Sequence, residues 1–350
     1  MLTIREQLEA DEERIFSPFA QRSSRSIGRP RPEAPDPLRT AFQHDRDKIL
    51  HSKAFRRLAG KTQVFLAPEG DHYRTRITHT LEVAQIARTV ARSLRLNETL
   101  AEAIVLGHDL GHTPFGHAGE RTLARLMPDG FHHVKQSLRV VDRLERDGDG
   151  LNLTHEVRDG ILKHSKGKGH IISDNANLLA MTLEGQIVRI ADIVAYVNHD
   201  LDDAIRAKIL EVKDVPARIL ESLGATHSQR IAHMVNDIIK ASHLESEGKR
   251  QIRMSEECLE LLIALRDFLY ARVYEHPVIL DIFGRAQRIL GELYGHFQGH
   301  PDLFWEKYAL NASRGEPLER AIGDFVAGMT DRYALRLYEE LYLPRRWMVF

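Results

Sequence analysis

Cysteine is almost missing from this 350-residue chain, where Cys258 stands alone. That excludes an internal disulfide framework and any thiolate metal cluster, and it points to a reducing compartment, the cytoplasm by expectation. Net charge is nearly missing as well: 49 Lys and Arg oppose 50 Asp and Glu, leaving −1 with neutral histidines. No global field draws the chain to nucleic acid or to an anionic membrane, so a phosphate site has to be local. Long uncharged apolar runs are absent too. The richest stretch, Leu259 to Tyr274, is interrupted by Glu260, Arg266, Asp267 and Arg272. The opening residues MLTIREQLEADEERIF contain no apolar signal core. A soluble protein with no membrane partner is expected.

What is present has an ordinary globular balance, 43% hydrophobic and 28% charged, sufficient for a core without covalent staples. Pro18, Pro30, Pro32, Pro35 and Pro37 lie among Ser, Arg and Gly, a composition that cannot propagate a helix, and residues 1–37 read as an N-terminal arm. From Phe42 onward the apolar spacing is helical. Val83, Ala87, Val90 and Leu94 make one stripe, and Leu100, Ile104 and His108 another. Breaks rich in Gly, Pro or Asp fall at Ala67 to Asp71, Gly111 to Pro114, Pro128 to Gly130, Asp147 to Gly150, Lys166 to Gly169 and Gly299 to Pro301. The charged run Glu245 to Arg250 reads as a solvated link between helices. The expectation is an all-α protein with little or no sheet. It has a helical core over 38–205 and a C-terminal helical region over 206–350 packed on it.

Nineteen histidines are many, and several stand where a helix should be apolar. His79 precedes Val83 by four residues and so extends that stripe into the interior; His108 follows Ile104 by four. Either one alone fits a hydrogen-bonded core histidine. The pair His108-Asp109, however, presents an imidazole and a carboxylate from one turn, behind a Gly107 that lets a neighbouring helix come close. Asp192 interrupts the otherwise core-like stretch QIVRIADIVAYVNHD. A buried carboxylate without a partner costs several kcal/mol, so Asp192 needs a cation or a basic group. A divalent metal satisfies all four side chains at once. Mixed nitrogen and oxygen donors suit manganese, magnesium, iron, cobalt or zinc, and four protein ligands on an octahedral ion leave room for water and substrate.

Around this set, Gly111-His112-Thr113-Pro114 reads as a helix stop, a Thr cap and a proline at the first position of the next helix. His117 and Glu120, three apart on that helix, are expected to pair as an acid/base dyad. Arg76 shares a helical face with His79 and is placed to hold a phosphate oxygen. Asp192, Tyr196 and Asp200, at i, i+4 and i+8, form one stripe. The segment His164 to His170 is basic and Gly-rich but lacks the spacing of a Walker loop, so it reads as an exposed linker or a supplementary phosphate contact.

The order His79, His108-Asp109, Asp192 matches the ligand pattern of HD-domain metallohydrolases. The stretches HSKAFRRLAGKTQVF, TRITHTLEVAQIART, LGHDLGHTPFGHAGE, LTHEVRDGILKHS and VAGMTDRYA resemble those of bacterial deoxyguanosine triphosphate triphosphohydrolases and their close paralogues. The likeness runs from about Asp36 to Pro344. It implies hydrolysis of a deoxynucleoside triphosphate to deoxynucleoside and inorganic triphosphate. His112, His117, Glu120 and, in FHHVKQSLR, His133 would line the scissile phosphate. Tyr196 would pack on the sugar, and Asp200 with Gln63 would read its 3′-hydroxyl and the missing 2′-hydroxyl. Mammalian members carry lysine directly after the metal aspartate, where this chain has Ile193. The resemblance further implies a homo-oligomer, tetramer or hexamer, a possible dNTP activator and a possible single-stranded nucleic acid partner. The nearest alternatives are an HD phosphatase of nucleoside monophosphates and a nucleotide- or nucleic-acid-sensing regulator with weak turnover.

Overall fold

A computed structural model describes residues 2–63, 74–165, 171–172, 175–242 and 251–344. The expected breaks at 67–71 and 166–169 and the charged run 245–250 lie outside the described residues. Among those described there is no strand, only an isolated antiparallel bridge between Thr62 and Thr75, and the fold is all-α as expected. The helices are α1 (Ile4–Ile15), α2 (Ala41–Leu50), α3 (Lys53–Arg57), α4 (Arg76–Ser93), α5 (Glu98–His108), α6 (Gly116–Leu126), α7 (His133–Arg139) and α8 (His155–Lys163). They continue with α9 (Leu183–Arg206), α10 (Ala217–Leu223), α11 (His227–Ala241), α12 (Glu256–Leu269), α13 (Pro277–Gly299), α14 (Pro301–Lys307), α15 (Leu318–Gly328) and α16 (Asp331–Tyr342).

Local chemistry sets many of these boundaries. Thr3 with Glu6, Thr40 with Gln43 and Thr226 with Gln229 close reciprocal capping boxes at the starts of α1, α2 and α11. The Asn97 side chain accepts from the amides of Thr99 and Leu100 and starts α5. Pro277 and Pro301 sit in the first turns of α13 and α14, where a missing N–H costs nothing. One expected start is corrected. α6 begins at Gly116, after Phe115 in the left-handed region at φ 59°, not at Pro114 behind a Thr113 cap. The Thr113 hydroxyl instead donates to the Gly116 carbonyl at 3.0 Å, closing the turn from inside.

The apolar residues fall into two clusters. The larger draws on α2, α4, α5, α8, α9, α11 and α12, and runs well past residue 206. Val83, Ala87 and Val90 of α4 and Leu100 and Ile104 of α5 are buried in it, as their spacing predicts. The smaller joins Phe115, Ala118 and Leu123 to Phe283, Leu290 and Phe297 of α13, Val326 of α15 and Leu337 of α16. α6 therefore belongs to the second cluster although it follows α5 directly. The N-terminal arm lies along the larger unit, tied by carboxylates: Gln21 N donates to Glu184, Ile27 N and the Ser26 hydroxyl to Glu156, and Arg29 pairs with Asp45. Among the described residues no helix is long and apolar enough to cross a membrane.

Candidate metal centre and active site

Three helices of the larger unit converge on one point: α4 carries His79, the end of α5 carries His108 and Asp109, and the middle of α9 carries Asp192. His79 Nε2 lies 3.0 Å from Asp192 Oδ1, and His108 Nε2 lies 3.4 Å from Asp109 Oδ1 and 3.7 Å from Asp192 Oδ1. His79, His108 and Asp109 each offer a ligand atom within 4.8 Å of the others. The four expected metal residues thus meet, although 113 positions separate the first from the last.

The donor chemistry of His108 tests whether they fit a cation. Its Nδ1 lies 2.6 Å from the Val105 carbonyl, and since a carbonyl only accepts, Nδ1 holds the proton. Nε2 is then the lone-pair nitrogen. It is buried, has no hydrogen-bond partner, and faces two carboxylates. A lone pair set against two negative charges is repulsive unless a proton or a metal ion lies between them. Burial opposes charge on this ring, yet Asp109 and Asp192 overcome it and push its pKa up to about 9, so that without a metal ion a proton occupies Nε2 in the cation's place. Burial likewise opposes charge on the two carboxylates, and the imidazoles around them hold both well below the usual range. The residues fit a divalent cation.

Further groups surround this centre. Arg76, buried at the start of α4, donates through Nη1 to Asp109 Oδ2 at 2.8 Å. Its Nε is buried without a partner, so one guanidinium edge is engaged and one is not. His112 Nε2 lies 3.2 Å from Asp109 Oδ1, and its ring stacks on that of His133 with centroids 4.0 Å apart. Burial and Arg76 hold His112 well below the usual histidine range, hence neutral.

The expected dyad is present but loose, and the same acid makes a tighter pairing elsewhere. His117 Nδ1 lies 3.9 Å from Glu120 and the His117 side chain is 51% exposed, whereas His133 takes the short bonds. His133 donates to Glu120 twice, from its backbone amide at 2.9 Å and from Nδ1 at 2.9 Å. The carboxylate thus caps the start of α7 and fixes the imidazole on it with one pair of oxygens. Burial works against charge on Glu120, but His133 outweighs it and holds the acid below its ordinary range. The neighbouring His132 is exposed and directs no described hydrogen bond into the cluster.

On α9, Tyr196 is half-buried and Asp200 buried, on the stripe begun by Asp192. Asp200 Oδ2 accepts a short bond from the Tyr274 hydroxyl, and Oδ1 is buried without a partner. Burial pushes Asp200 up to about 7. Gln63, at the edge of the described residues, has its Oε1 buried and unpartnered. Its backbone carbonyl would lie 2.9 Å from a β-carbon at Gly116, whose φ is +54°, so glycine is required there on both counts.

Sequence reasoning missed several participants. His164, read with a basic loop, is buried against His108, while residues 166–170 of that loop lie outside the described residues. His199 stands behind His79, Nδ1 to Nδ1 3.4 Å, with Glu82 3.3 Å from its Nε2. Two distant side chains hold the turn between α5 and α6. Asp331 accepts from the Phe115 amide at 2.9 Å, from the Thr62 amide at 2.9 Å and from the Thr62 hydroxyl. Buried Lys61 donates to the carbonyls of His112 and Ala327. A left-handed Phe115 costs roughly 1 kcal/mol or more, and a charge-assisted bond on its own N–H offsets that. VAGMTDRYA and RRLAGKT are two halves of this one clasp.

Comparison with known proteins identifies the family domains in which these residues lie. Residues 76–197 match the HD domain, and residues 252–340 match the phosphohydrolase-associated domain. The chain is 51% identical to a deoxyguanosinetriphosphate triphosphohydrolase-like protein of Desulfatibacillum aliphaticivorans, over 98% of this chain and 99% of that one. A protein described in the same words from Caldanaerobacter subterraneus subsp. tengcongensis is 50% identical over 99% and 98% of the two chains. Another from Clostridium perfringens strain 13 is 44% identical over 98% and 99%.

Proposed function

Because the chain belongs to the family of deoxyguanosinetriphosphate triphosphohydrolase-like proteins, with their HD domain, we propose that it hydrolyses deoxynucleoside triphosphates to deoxynucleoside and inorganic triphosphate. The observation that carries the reading is the buried, unpartnered Nε2 of His108, faced by the carboxylates of Asp109 and Asp192 at the meeting of three helices. His79, His108, Asp109 and Asp192 would hold a divalent ion, manganese or magnesium by expectation. When bound, such an ion supplies Lewis acidity toward a phosphoryl oxygen.

The protein's own groups divide the remaining work. His133, with Nδ1 held by Glu120, has Nε2 left to give or take a proton at an in-line oxygen, and stacked His112 keeps that ring in register. Neutral His112 adds no repulsion toward a cation nearby. Arg76 offsets triphosphate charge with the guanidinium edge that Asp109 leaves free. Exposed His117 reaches the same region from α6. Asp200 and Gln63 each bring a buried oxygen without a partner, which a sugar hydroxyl would satisfy, and Tyr196 between Asp192 and Asp200 offers a ring face to the sugar.

The test is incubation with each of the four dNTPs, alone and in pairs, and separately with the nucleoside monophosphates, with Mn²⁺, Mg²⁺ or Co²⁺, and separation of the products. Intact triphosphate with free deoxynucleoside is expected. Orthophosphate released from a nucleoside monophosphate would make the protein a monophosphatase. Absence of turnover, with nucleotide binding unchanged in Asp109→Ala, would make it a sensor.

A further inference from the structure

We propose that His164 is a fifth protein ligand of the cation held by His79, His108, Asp109 and Asp192, an inference that rests on the metal-hydrolase reading above. Helices α5 and α8 cross at close range. A β-carbon at Gly107 would lie 2.5 Å from Ile161 Cδ1, and one at Gly160 would lie 2.5 Å from Ile104 Cδ1. Each helix offers a glycine to the other's isoleucine, so the two backbones approach more closely than side chains would otherwise permit. His108 stands four residues after Ile104, and His164 four after Gly160. One turn beyond the crossing, the two imidazoles therefore meet, edge to face with centroids 4.9 Å apart.

The two rings are prepared in the same way. His108 donates Nδ1–H to the carbonyl three residues back, Val105, at 2.6 Å, and His164 donates Nδ1–H to the carbonyl three residues back, Ile161, at 2.7 Å. Both are buried, at 0% and 1% exposure. A backbone acceptor on one imidazole nitrogen selects the tautomer with its lone pair on the other and fixes the ring's direction, which is how proteins orient metal-binding histidines. His164 shares each of these features with His108. The ligand atoms of His108, His164 and Asp192 lie within 4.8 Å of one another, as do those of His79, His108 and Asp109. The two trios share His108, and Asp192 also contacts His79, so His164 joins the four groups through His108 and Asp192, while a third trio of Asp109, His112 and His133 continues from Asp109. With Nδ1 committed to the Ile161 carbonyl, Nε2 is the nitrogen of His164 that has a lone pair to offer a cation.

The experiment counts nitrogens on the metal and needs no turnover. Chelator-treated full-length protein is reloaded with Mn²⁺, and pulsed electron paramagnetic resonance reads the imidazole nitrogens coupled to the ion. Three are expected in the unmutated protein and two in His164→Gln. Calorimetric Mn²⁺ affinity should fall at least about tenfold in that variant, with its metal-free melting temperature unchanged. Two nitrogens in the unmutated protein, or an unchanged count in His164→Gln, overturns the assignment while leaving the hydrolase reading intact. An unmutated protein that binds no divalent ion overturns the hydrolase reading and this assignment together. The unmutated count decides the matter even if the variant fails to fold.

Discussion

Asp192 and Asp200 stand two turns apart on α9, yet they are held in opposite electrostatic states. Burial penalises charge on both. At Asp192, hydrogen bonds and positive charge from His108 and His79 overcome the penalty and keep the carboxylate ionised far into acid. At Asp200 the chief partner is a phenol, Tyr274, which supplies one bond but no charge, and burial pushes the acid up to about 7. Glu184, in the first turn of the same helix, repeats the second case. It accepts from the amides of Gln21 and Asn97, and burial pushes it up to about 7. One helix thus presents a permanently negative site, a group near half-protonation at neutral pH, and a structural acid. What distinguishes them is the charge of the neighbours, since depth alone raises all three.

The contrast is broken most severely at Asp192. Asp192→Asn should lose metal and turnover together, turnover falling by about a thousandfold or more, read from bound metal and released triphosphate. A variant that keeps both would reduce Asp192 to a packing role. Asp331→Ala should show the converse pattern. Its carboxylate holds Phe115 and Thr62, not the ion, so turnover should fall by about ten- to a hundredfold as the turn loosens, with Mn²⁺ affinity unchanged. Equal losses of both would place Asp331 in the metal site's own support.

At Asp200 the expected effect is smaller and depends on pH. The apparent KM for dNTP should inflect near pH 7 in the unmutated protein and become flat in Asp200→Asn, within about tenfold of the starting value. Tyr274→Phe should move the inflection to higher pH, because the lost hydroxyl bond favoured the charged form. An inflection that survives in Asp200→Asn belongs to another group. Glu184→Gln should leave turnover alone and alter stability. The folded-state value near 7 exceeds the ordinary 4.5, so the folded chain binds the extra proton. Glu184's contribution to stability is therefore greatest below about pH 4.5 and declines as pH rises to about 7. The glutamine variant lacks that decline, and thermal unfolding at pH 8 should show a gain of order 1 kcal/mol that disappears in acid.

Legibility in the sequence followed the range of each interaction. Helical spacing exposed His79 and His108, because a four-residue period is written along the chain. Asp192 was visible as a charge in a run that is otherwise core. Gly107 was read as a close-approach position, and Ile161 packs there. The tighter pairing of Glu120, with His133, went unread for the same reason that the stripes succeeded. A three-residue spacing allows contact with His117, but it carries no information about an α7 start 13 residues on, whose free amide and imidazole together make the better partner. His164 was obscured by the Lys and Gly that follow it, a composition typical of exposed loops. Lys61 and Asp331 gave no local signal at all, since their partners lie up to 269 positions away.

The sequence by itself determined the all-helical class and brought forward four groups able to hold a cation, because periodicity and residue type are properties of the chain; the proposed deoxynucleotide substrate came from its resemblance to a known family. Only the tertiary structure decided which histidine Glu120 orients, which buried acids keep their protons, and that His164 lies beside His108. Those outcomes depend on distances across helices. There a close glycine crossing or one neighbouring charge outweighs anything the adjacent residues can indicate.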